Sequence, residues 1–333
     1  MTRKLKEFVN HDAAIPNANC AEAMGEEHVC ILLALKDGAA TLGEQLESIA
    51  RQSHRDWSLI VSDDGSRDDW LPVVSDFNDR LSKTNRSWIV GGPHKGFARN
   101  FLSLACHAGP LVPFVAFCDQ DDVWLEHKLA RALAHLGSAP PGVPAIYVSR
   151  TMIGDAKLQN LRPSRAFKRP PGFENALVQS IGGGNTMVLN RKALDLLQDS
   201  ARHAKSIVSH DWWAYQLISG AGGKVFYDQT PTVLYRQHGG NQIGANDTYL
   251  ASLSRVCRVF QGQFRRWNSD NMAALDRSRH WLTEEARATL DGFAASRKSN
   301  VFVRLSSVYR LGIRRQTLRG TFALWLAAIF NKL

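Results

Sequence analysis

Three carboxylates within four positions, Asp119, Asp121 and Asp122, directly follow the apolar run 114–118. Carboxylates this close repel one another unless a cation or several hydrogen-bond donors lie among them. In an extended segment, Asp119 and Asp121 point to the same side, so both can bind one ligand. Hard cations such as Mg²⁺ or Mn²⁺ prefer carboxylate oxygens and often bridge to phosphate. The pattern predicts a divalent metal site; the alternative is an acidic turn in which Asp122 caps a helix over 123–136.

A second pair of acids, Asp63 and Asp64, ends another apolar run, 57–62. A carboxylate there can accept hydrogen bonds from a nucleotide base or ribose, although Asp, Gly and Ser also form plain turns. Lys95 and Arg99 stand at the start of a predicted helix, where cations and free N–H groups suit a diphosphate. The alternative for these two cations is simple exposure to solvent. Both segments are therefore candidates for a nucleotide site.

An acid also begins the aromatic segment 209–213. Asp211 is a candidate general base, and His210, Trp212 and Trp213 are candidates for a pocket whose aromatic faces hold a sugar ring. The alternative is that Asp211 only caps the helix.

Two more polar residues lie beside glycines. His238 precedes two glycines, which would let a metal or a diphosphate approach closely, although a lone histidine is more often structural. Asn185 stands in the glycine-rich turn 181–188 and is assigned to the same acceptor and sugar pocket.

The segments that must hold these side chains alternate between apolar runs and helical patterns. Strands are predicted over 29–35, 57–62, 87–90, 114–118 and 224–227, with a last extended piece over 233–238, and helices are predicted over 41–52, over 97–107 and from near Ser209. Buried strands alternating with helices indicate a parallel sheet covered on both faces. Ligands of such sheets bind beyond the carboxyl ends of the strands, where the acids lie.

We expect a flexible leader over residues 1–27 and a catalytic domain over 28–247. The domain is expected to have a nucleotide-binding half, 28–136, and an acceptor half, 137–247. A basic helical extension is expected over 248–333.

The net charge of +10 is concentrated in this extension, since residues 250–333 hold 15 Lys/Arg and 5 Asp/Glu. Leu305, Val308, Leu311 and Ile313 form a partly amphipathic pattern among arginines, which suits a helix lying on anionic lipid. The alternative is a helical cap packed on the domain. The apolar run 321–330 is too short to span a bilayer, which needs about 20 residues.

Compartment and partners follow from smaller signals. Five scattered cysteines without a C-x-x-C pair indicate reduced thiols, not disulfides or a zinc site. The charged N-terminus is not followed by the apolar stretch of a secretory signal. The expected location is cytoplasmic, peripheral at the inner face of the plasma membrane. No motif supports nucleic-acid binding.

Together these motifs resemble family 2 glycosyltransferases of the GT-A fold. The resemblance runs from about Val29 to Gly244, and its most specific part is the run Cys118–Lys128 (C-D-Q-D-D-V-W-L-E-H-K). That run is typical of the rhamnosyltransferase-like subgroup that builds bacterial surface polysaccharides. The implied fold is α/β, a mixed and mostly parallel sheet flanked by helices.

The resemblance implies an inverting transferase that moves a sugar from a dTDP- or UDP-linked donor to a glycan or lipid-linked acceptor. It implies Mg²⁺ or Mn²⁺ as cofactor. The implied residue roles are these: Asp63 or Asp64 at the base, Asp119 at the ribose, Asp121 at the metal, Asp211 as general base, His238 at the metal or diphosphate, and Lys95 and Arg99 at the diphosphate. The usual T-Y-N-G after the first strand is Leu35-Lys36-Asp37-Gly38 here, so Ala34 and Asp37 are assigned to the donor, with an altered nucleotide preference expected.

Two other functions compete with this one. A haloacid-dehalogenase-type phosphatase also has Asp-x-Asp after an apolar strand, but there the motif follows the first strand. A non-catalytic sugar-nucleotide-binding protein would lack the base, which is present as Asp211. A dinucleotide dehydrogenase is excluded because no G-x-G-x-x-G follows the first strand.

Overall fold

One mixed β-sheet runs through the fold in the computed structural model, which describes residues 24–82, 85–204, 206–237 and 262–333. The strands are β1 (Val29–Leu35), β2 (Trp57–Asp63), β3 (Arg86–Gly91), β4 (Phe114–Asp119), β5 (Val123–Trp124), β6 (Ala145–Gly154), β7 (Arg162–Pro163), β8 (Val188–Asn190) and β9 (Lys224–Arg236). Their order is β3-β2-β1-β4-β8-β6-β9-β5, and β7 pairs with β6. The pairs β1–β2, β1–β4, β2–β3 and β6–β9 are parallel.

Helices cover the sheet and extend beyond it. They are α1 (Ala39–Ala50), α2 (Leu71–Asp79), α3 (Phe97–His107), α4 (Lys128–Leu136), α5 (Phe173–Ala176), α6 (Arg191–His203), α7 (His210–Gly220), α8 (Gln263–Arg277), α9 (Glu284–Lys298), α10 (Val301–Arg310) and α11 (Leu318–Ile329). Short 3₁₀ turns lie at Gly184–Thr186 and Arg279–Trp281.

The central strand β1 explains why apolar runs predicted this architecture. Cys30 and Leu32 pack into the core on one face of the sheet, and Ile31 and Leu33 pack into the core on the other. A strand buried on both faces has no polar side, so its sequence is continuously apolar. The predicted α/β class, with helices on both faces and a helical C-terminal extension, is confirmed.

The strand order creates a crevice at one end of β1. The chain moves from β1 outward through β2 to β3, and then returns to place β4 on the other side of β1. The direction of winding therefore changes between β1 and β4, and in open α/β sheets ligands bind at the carboxyl ends of the strands at such a point.

Two local predictions are wrong. The expected helix over 123–136 is a two-residue strand, β5, followed by a helix that begins only at Lys128. Backbone pairing of Val123 with Leu234 in β9 explains the difference, because it fixes an extended conformation there. The two strands expected over 224–227 and 233–238 are the single strand β9, whose pairing with β6 shifts register near Arg150.

The C-terminal helices pack on the domain that contains the sheet. Phe293, Val308 and Leu324 belong to the same core as Trp213 of α7. Gln316 lies between α10 and α11, and its amide donates to the Asn175 side chain at 3.1 Å. The packed cap is therefore the observed arrangement.

The residues that suggested a lipid-facing stripe turn inward. Val308 and Ile313 are buried, and Leu305 and Leu311 pack against the core. Arg304 is also buried, and its guanidinium donates to the Ala328 carbonyl at 2.9 Å. In the part of the chain that the structure describes, no helix is both long and apolar enough to cross a bilayer.

Candidate active site

The carboxyl ends of three neighbouring strands bring the first acids together. In the parallel registers, Leu35 lies opposite Asp63 and Ala34 lies opposite Asp119. Ala34 therefore sits within both ladders, flanked by strands that each end in an aspartate. The juxtaposition expected from sequence is present at the crevice beside β1.

The loops that follow β1 and β4 are joined by a side chain that sequence reasoning left without a role. The Gln120 amide accepts from the Lys36 N–H at 2.6 Å and donates to the Lys36 carbonyl at 2.8 Å. A Cβ on Gly38 would lie 2.3 Å from the Gln120 side-chain carbonyl carbon, so a larger residue there would displace the Gln120 amide. The signal available in the sequence was an amide between two acids and a glycine shortly after the first strand.

The loop after β2 is tied to the loop after β1. The Lys36 ammonium donates to the carbonyls of Asp64 and Gly65. Asp37 has a φ of 49°, and its carboxylate accepts from the Arg67 N–H at 2.7 Å. The carboxylate of Asp37 is therefore hydrogen-bonded to the protein backbone, and its contact with the sugar donor stays a proposal.

Asp63 and Asp64 differ in their surroundings. Asp64 is buried, and its two carboxylate oxygens accept from the N–H groups of His94, at 2.6 Å, and Gly96, at 3.0 Å. Asp63 is half-buried, and one oxygen accepts from the Ser66 N–H at 2.8 Å. Asp64 thus secures the loop that leads into α3, and Asp63 shapes the turn at the crevice.

The two cations at the start of α3 separate in the structure. Lys95 is exposed at the loop that precedes the helix. The Arg99 guanidinium donates to the carbonyl of Ala204, the residue that follows α6. This hydrogen bond directs Arg99 to a helix terminus, and the diphosphate contact of Arg99 stays a prediction.

The acidic run itself divides into half-buried positions, Asp119 to Asp121, and the buried Asp122. Burial, reinforced by the carboxylates of Asp122, Asp121 and Asp211, raises the pKa of Asp119 well above its usual range. Asp122 is fully buried, and burial followed by the charge of Asp121 raises its pKa to about 7. Its oxygens accept from the Asn185 side-chain amide and from the Arg236 N–H, at 3.1 Å for the latter.

These contacts exclude the helix-cap alternative for Asp122, because both of its oxygens face inward to partners far along the chain. The Asn185 amide is buried against Asp122, and the place of Asn185 in a sugar pocket stays a prediction.

Arg236, the last residue of β9, connects three segments around the crevice. Its buried guanidinium donates to the Asp121 carbonyl at 2.9 Å, the Ala156 carbonyl at 2.7 Å and the Glu44 carboxylate at 2.7 Å. One side chain at the end of β9 therefore connects the acidic run, α1 and the loop after β6. No role was predicted for Arg236 from the sequence, where the available signal was a single cation at the end of an apolar strand.

A buried lysine lies behind the acidic run. The Lys128 ammonium is 4.5 Å from the centre of the Trp124 ring, and no atom of the described residues accepts a hydrogen bond from it. Burial lowers its pKa to about 7, and the charges of Cys118 and Asp122 act in the opposite direction. Lys128 is thus a countercharge on the protein side of the run.

Asp211 approaches the acidic run from α7. It lies in the first turn of the helix, and Ser209 is the residue that precedes the helix. Burial raises the pKa of Asp211, and a hydrogen bond from Ser209 opposes that shift. Because the Asp211 charge also acts on Asp119, residues 92 positions apart in sequence face one site.

The aromatic neighbours of Asp211 are core residues. His210 stacks on Phe101, with ring centroids 3.8 Å apart, and Trp213 has no exposed surface. The indoles of Trp212 and Trp213 donate to the Ala176 carbonyl and the Ser200 hydroxyl. All three side chains are buried and fix the start of α7, and their place in a sugar pocket stays a prediction.

A divalent cation is compatible with the donors at the crevice. The pKa of Asp119 is raised first by burial and then by the neighbouring carboxylates, and a bound cation would oppose both effects. Among the described residues, no three His, Cys, Asp or Glu side chains are placed to hold a metal ion by themselves. The predicted ligand His238 lies outside the described residues.

Comparison with known proteins gives consistent matches. A model for glycosyl transferase family 2 matches residues 30–197. The dTDP-rhamnosyl transferase RfbG of Shigella flexneri is 29% identical over 246 residues, covering 70% of this chain and 81% of that protein. The UDP-Glc:alpha-D-GlcNAc-diphosphoundecaprenol beta-1,3-glucosyltransferase WfgD of Escherichia coli is 30% identical over 107 residues, covering 32% of this chain and 40% of that protein.

A solved structure is also similar. S. aureus TarS 1-349 in complex with UDP-GlcNAc has a TM-score of 0.49 and 15% identity, covering 86% of this chain and 92% of that chain.

Proposed function

Because this chain belongs to glycosyl transferase family 2 and is therefore a glycosyltransferase, we propose that it transfers a sugar from a dTDP- or UDP-linked donor to a glycan or lipid-linked acceptor, with inversion at the anomeric carbon. The observation that carries the proposal is the convergence of Asp63, Asp119 and Asp211 on the crevice beside β1. Family membership makes the phosphatase alternative wrong.

The donor is proposed to lie along the carboxyl ends of β2, β1 and β4. The nucleoside would lie against the acids at 63–64, with Asp119 at the ribose. The relatives RfbG and WfgD are named for dTDP- and UDP-linked donors, which supports a search among these two classes and surface polysaccharide as the product. The backbone of Ala34 and the exposed Lys95 stay candidate donor contacts.

Mg²⁺ or Mn²⁺ is proposed to bind at Asp121, with Asp119 beside it and His238 as a further ligand. When bound, the cation would supply positive charge that neutralises the departing diphosphate. The protein's own part is to keep Asp121 in place, which the Arg236 hydrogen bond to the Asp121 carbonyl does.

Asp211 is proposed to take the proton from the acceptor hydroxyl. A buried carboxylate with a raised pKa is a stronger base than an exposed aspartate, and it is ionised at neutral pH only if some stabilisation remains. The hydrogen bond from Ser209 and the position in the first turn of α7 supply that stabilisation. The acceptor would enter between α7 and the acidic run.

Association with the inner face of the plasma membrane completes the proposal. It is supported by the basic C-terminal quarter of the chain and by the WfgD name, which describes a lipid-linked acceptor for that protein. A cytoplasmic location is proposed with it.

The test is a screen of dTDP-rhamnose and UDP-linked hexoses with and without Mg²⁺ or Mn²⁺. We expect one donor class to raise the melting temperature and to be hydrolysed slowly in a metal-dependent manner, because donor bound at the crevice stabilises the folded state. The purified full-length chain with Asp119→Asn is the control and should lose the response. Absence of both responses for every donor would contradict the proposed function.

A further inference from the structure

Two C-terminal helices expose most of the large apolar side chains found at the described surface. Phe302 is 81% exposed, Tyr309 75%, Leu318 76% and Phe322 66%. Among the described residues, the exposed large apolar side chains outside α10 and α11 are Leu111, Leu161, Trp281 and Phe330, the last directly after α11. Single exposed apolar residues are ordinary, whereas a concentration of them marks an interaction surface.

The exposed side chains follow one face of each helix. Phe302 and Tyr309 are seven residues apart on α10, and Leu318 and Phe322 are four apart on α11. These spacings place each pair on a single side of its helix. The opposite sides carry the buried residues Arg304, Ser307, Val308, Leu324, Ala327 and Ala328.

The two outer faces form one surface. Arg304 in α10 bonds to the Ala328 carbonyl in α11, so the helices lie side by side. Val308 and Leu324 are buried in the same core, so the exposed side of each helix faces away from that core. We call the surface formed by Phe302, Tyr309, Leu318 and Phe322 the aromatic face.

The segment that carries the aromatic face has only basic charged side chains. Residues 292–333 contain eight Lys/Arg and no Asp/Glu. Arg310 and Arg319 are exposed at the same helices that carry the aromatic face. Aromatic and aliphatic side chains bordered by arginines complement a bilayer with anionic headgroups, where the rings enter the interface and the cations meet phosphates.

We infer that the aromatic face is the surface by which this protein seats on an anionic bilayer. The inference deepens the proposed membrane association and rests on it, but it names a surface different from the stripe that the sequence suggested. Leu305, Val308, Leu311 and Ile313 stabilise the fold from inside, and the outward residues meet the lipid.

The experiment is co-sedimentation of the full-length chain with phosphatidylglycerol-containing vesicles and with pure phosphatidylcholine vesicles. The variant Phe302→Ser/Phe322→Ser should lower the partition coefficient on anionic vesicles about a hundredfold, roughly tenfold per ring removed from the interface. The variant Arg310→Gln/Arg319→Gln should lower it about fivefold per arginine, and added salt should lessen the difference.

Leu111→Ser/Leu161→Ser is the matched control, since it removes two exposed apolar side chains from other parts of the surface. It should bind vesicles as the wild type does. Circular dichroism and donor-induced thermal stabilisation establish that every variant is folded, and they also report the donor site separately from the membrane.

Equal binding by wild type, variants and control would overturn the assignment of this surface. Failure of the wild type to bind anionic vesicles would overturn the membrane association as well, while leaving sugar transfer untouched. A wild type that is dimeric by light scattering and releases monomers on Phe302→Ser/Phe322→Ser, without vesicle binding, would assign the face to a second copy of the chain.

Discussion

The crevice beside β1 and the layer formed by α8 to α11 place charge in opposite ways. At the crevice, the buried acids Asp64 and Asp122 accept hydrogen bonds from specific partners. Asp64 accepts from two backbone N–H groups, and Asp122 accepts from the Asn185 amide. In the C-terminal layer, cations such as Arg310 and Arg319 are exposed. Buried charge needs fixed partners because desolvation is costly, whereas exposed charge is solvated and acts over a surface. The first arrangement suits recognition of one ligand, and the second suits an extended anionic partner.

The largest effect is expected from Asp211→Asn. Asparagine keeps the shape of the side chain but cannot take a proton, so kcat should fall about a thousandfold with donor binding unchanged. In the wild type, the raised pKa of Asp211 should place the acid limb of the kcat profile above the range of an exposed aspartate. Transfer assays across pH and donor titrations by thermal shift measure both effects.

The control for Asp211→Asn is a substitution in the C-terminal layer formed by α8 to α11. Asp291→Asn removes an exposed carboxylate of the C-terminal layer, paired with Arg279, and should leave kcat unchanged. An Asp211→Asn enzyme that is as active as the wild type would remove Asp211 from the mechanism.

Arg236→Met should lower the free energy of unfolding by about 3 kcal/mol, because three acceptors lose a buried charged donor. Urea unfolding gives this value. Arg236→Lys keeps the charge but cannot reach all three acceptors, so its free energy of unfolding should lie between those of the wild type and Arg236→Met. Arg319→Gln in the exposed layer is the control, with an expected change within about 0.5 kcal/mol. Equal losses for Arg236→Met and Arg319→Gln would contradict the role given to Arg236.

His210 makes the crevice side of the molecule sensitive to acid. Burial lowers its pKa to about 3, so between pH 6.5 and that value the unfolded chain binds a proton that the folded chain excludes. Stability is therefore lost as pH falls through the unfolded pKa, by about 2 kcal/mol between about pH 7 and pH 5. His210→Phe should remove this part of the pH dependence, since phenylalanine stacks on Phe101 and carries no proton. Urea unfolding at both pH values tests it, and an unchanged pH slope would argue against a neutral buried imidazole.

The smallest effect is expected from Arg310→Gln/Arg319→Gln on the fold itself. Exposed charges contribute little to stability, so the free energy of unfolding should stay within about 0.5 kcal/mol of the wild type. The same urea experiment measures it. A loss comparable to that of Arg236→Met would show that the C-terminal arginines act as internal fold contacts.

Much of the sheet could be predicted because its signals are local. The strands β1, β2 and β4 are continuous apolar runs, and a run such as Val29–Leu35 has few alternatives to a strand buried on both faces. The helix α7 was expected to start near Ser209 and begins at His210. By contrast, the strand β5 could not be anticipated, since Val123 is extended only because it pairs with Leu234.

The sequence predicted which residues belong to the site better than it predicted what each of them does. Asp63, Asp119 and Asp211 were identified from acids at the ends of predicted elements, and the structure places them together. His210 and Trp213 were assigned to a pocket because aromatic residues suit sugars, but the same side chains suit a core equally well. Burial decides between these uses, and burial depends on segments distant in sequence.

The amino-acid sequence by itself determined the family, the α/β class and the concentration of positive charge in the last quarter of the chain, because motif order, periodicity and composition are properties of neighbouring residues. Only the tertiary structure decided which acid faces the crevice and which accepts hydrogen bonds from backbone N–H groups. It also decided that Gln120 and Arg236 connect the loops of the crevice, and which side of α10 and α11 meets solvent. Those outcomes depend on packing between segments far apart along the chain, since a side chain's partners and exposure are set by whatever element the fold lays against it.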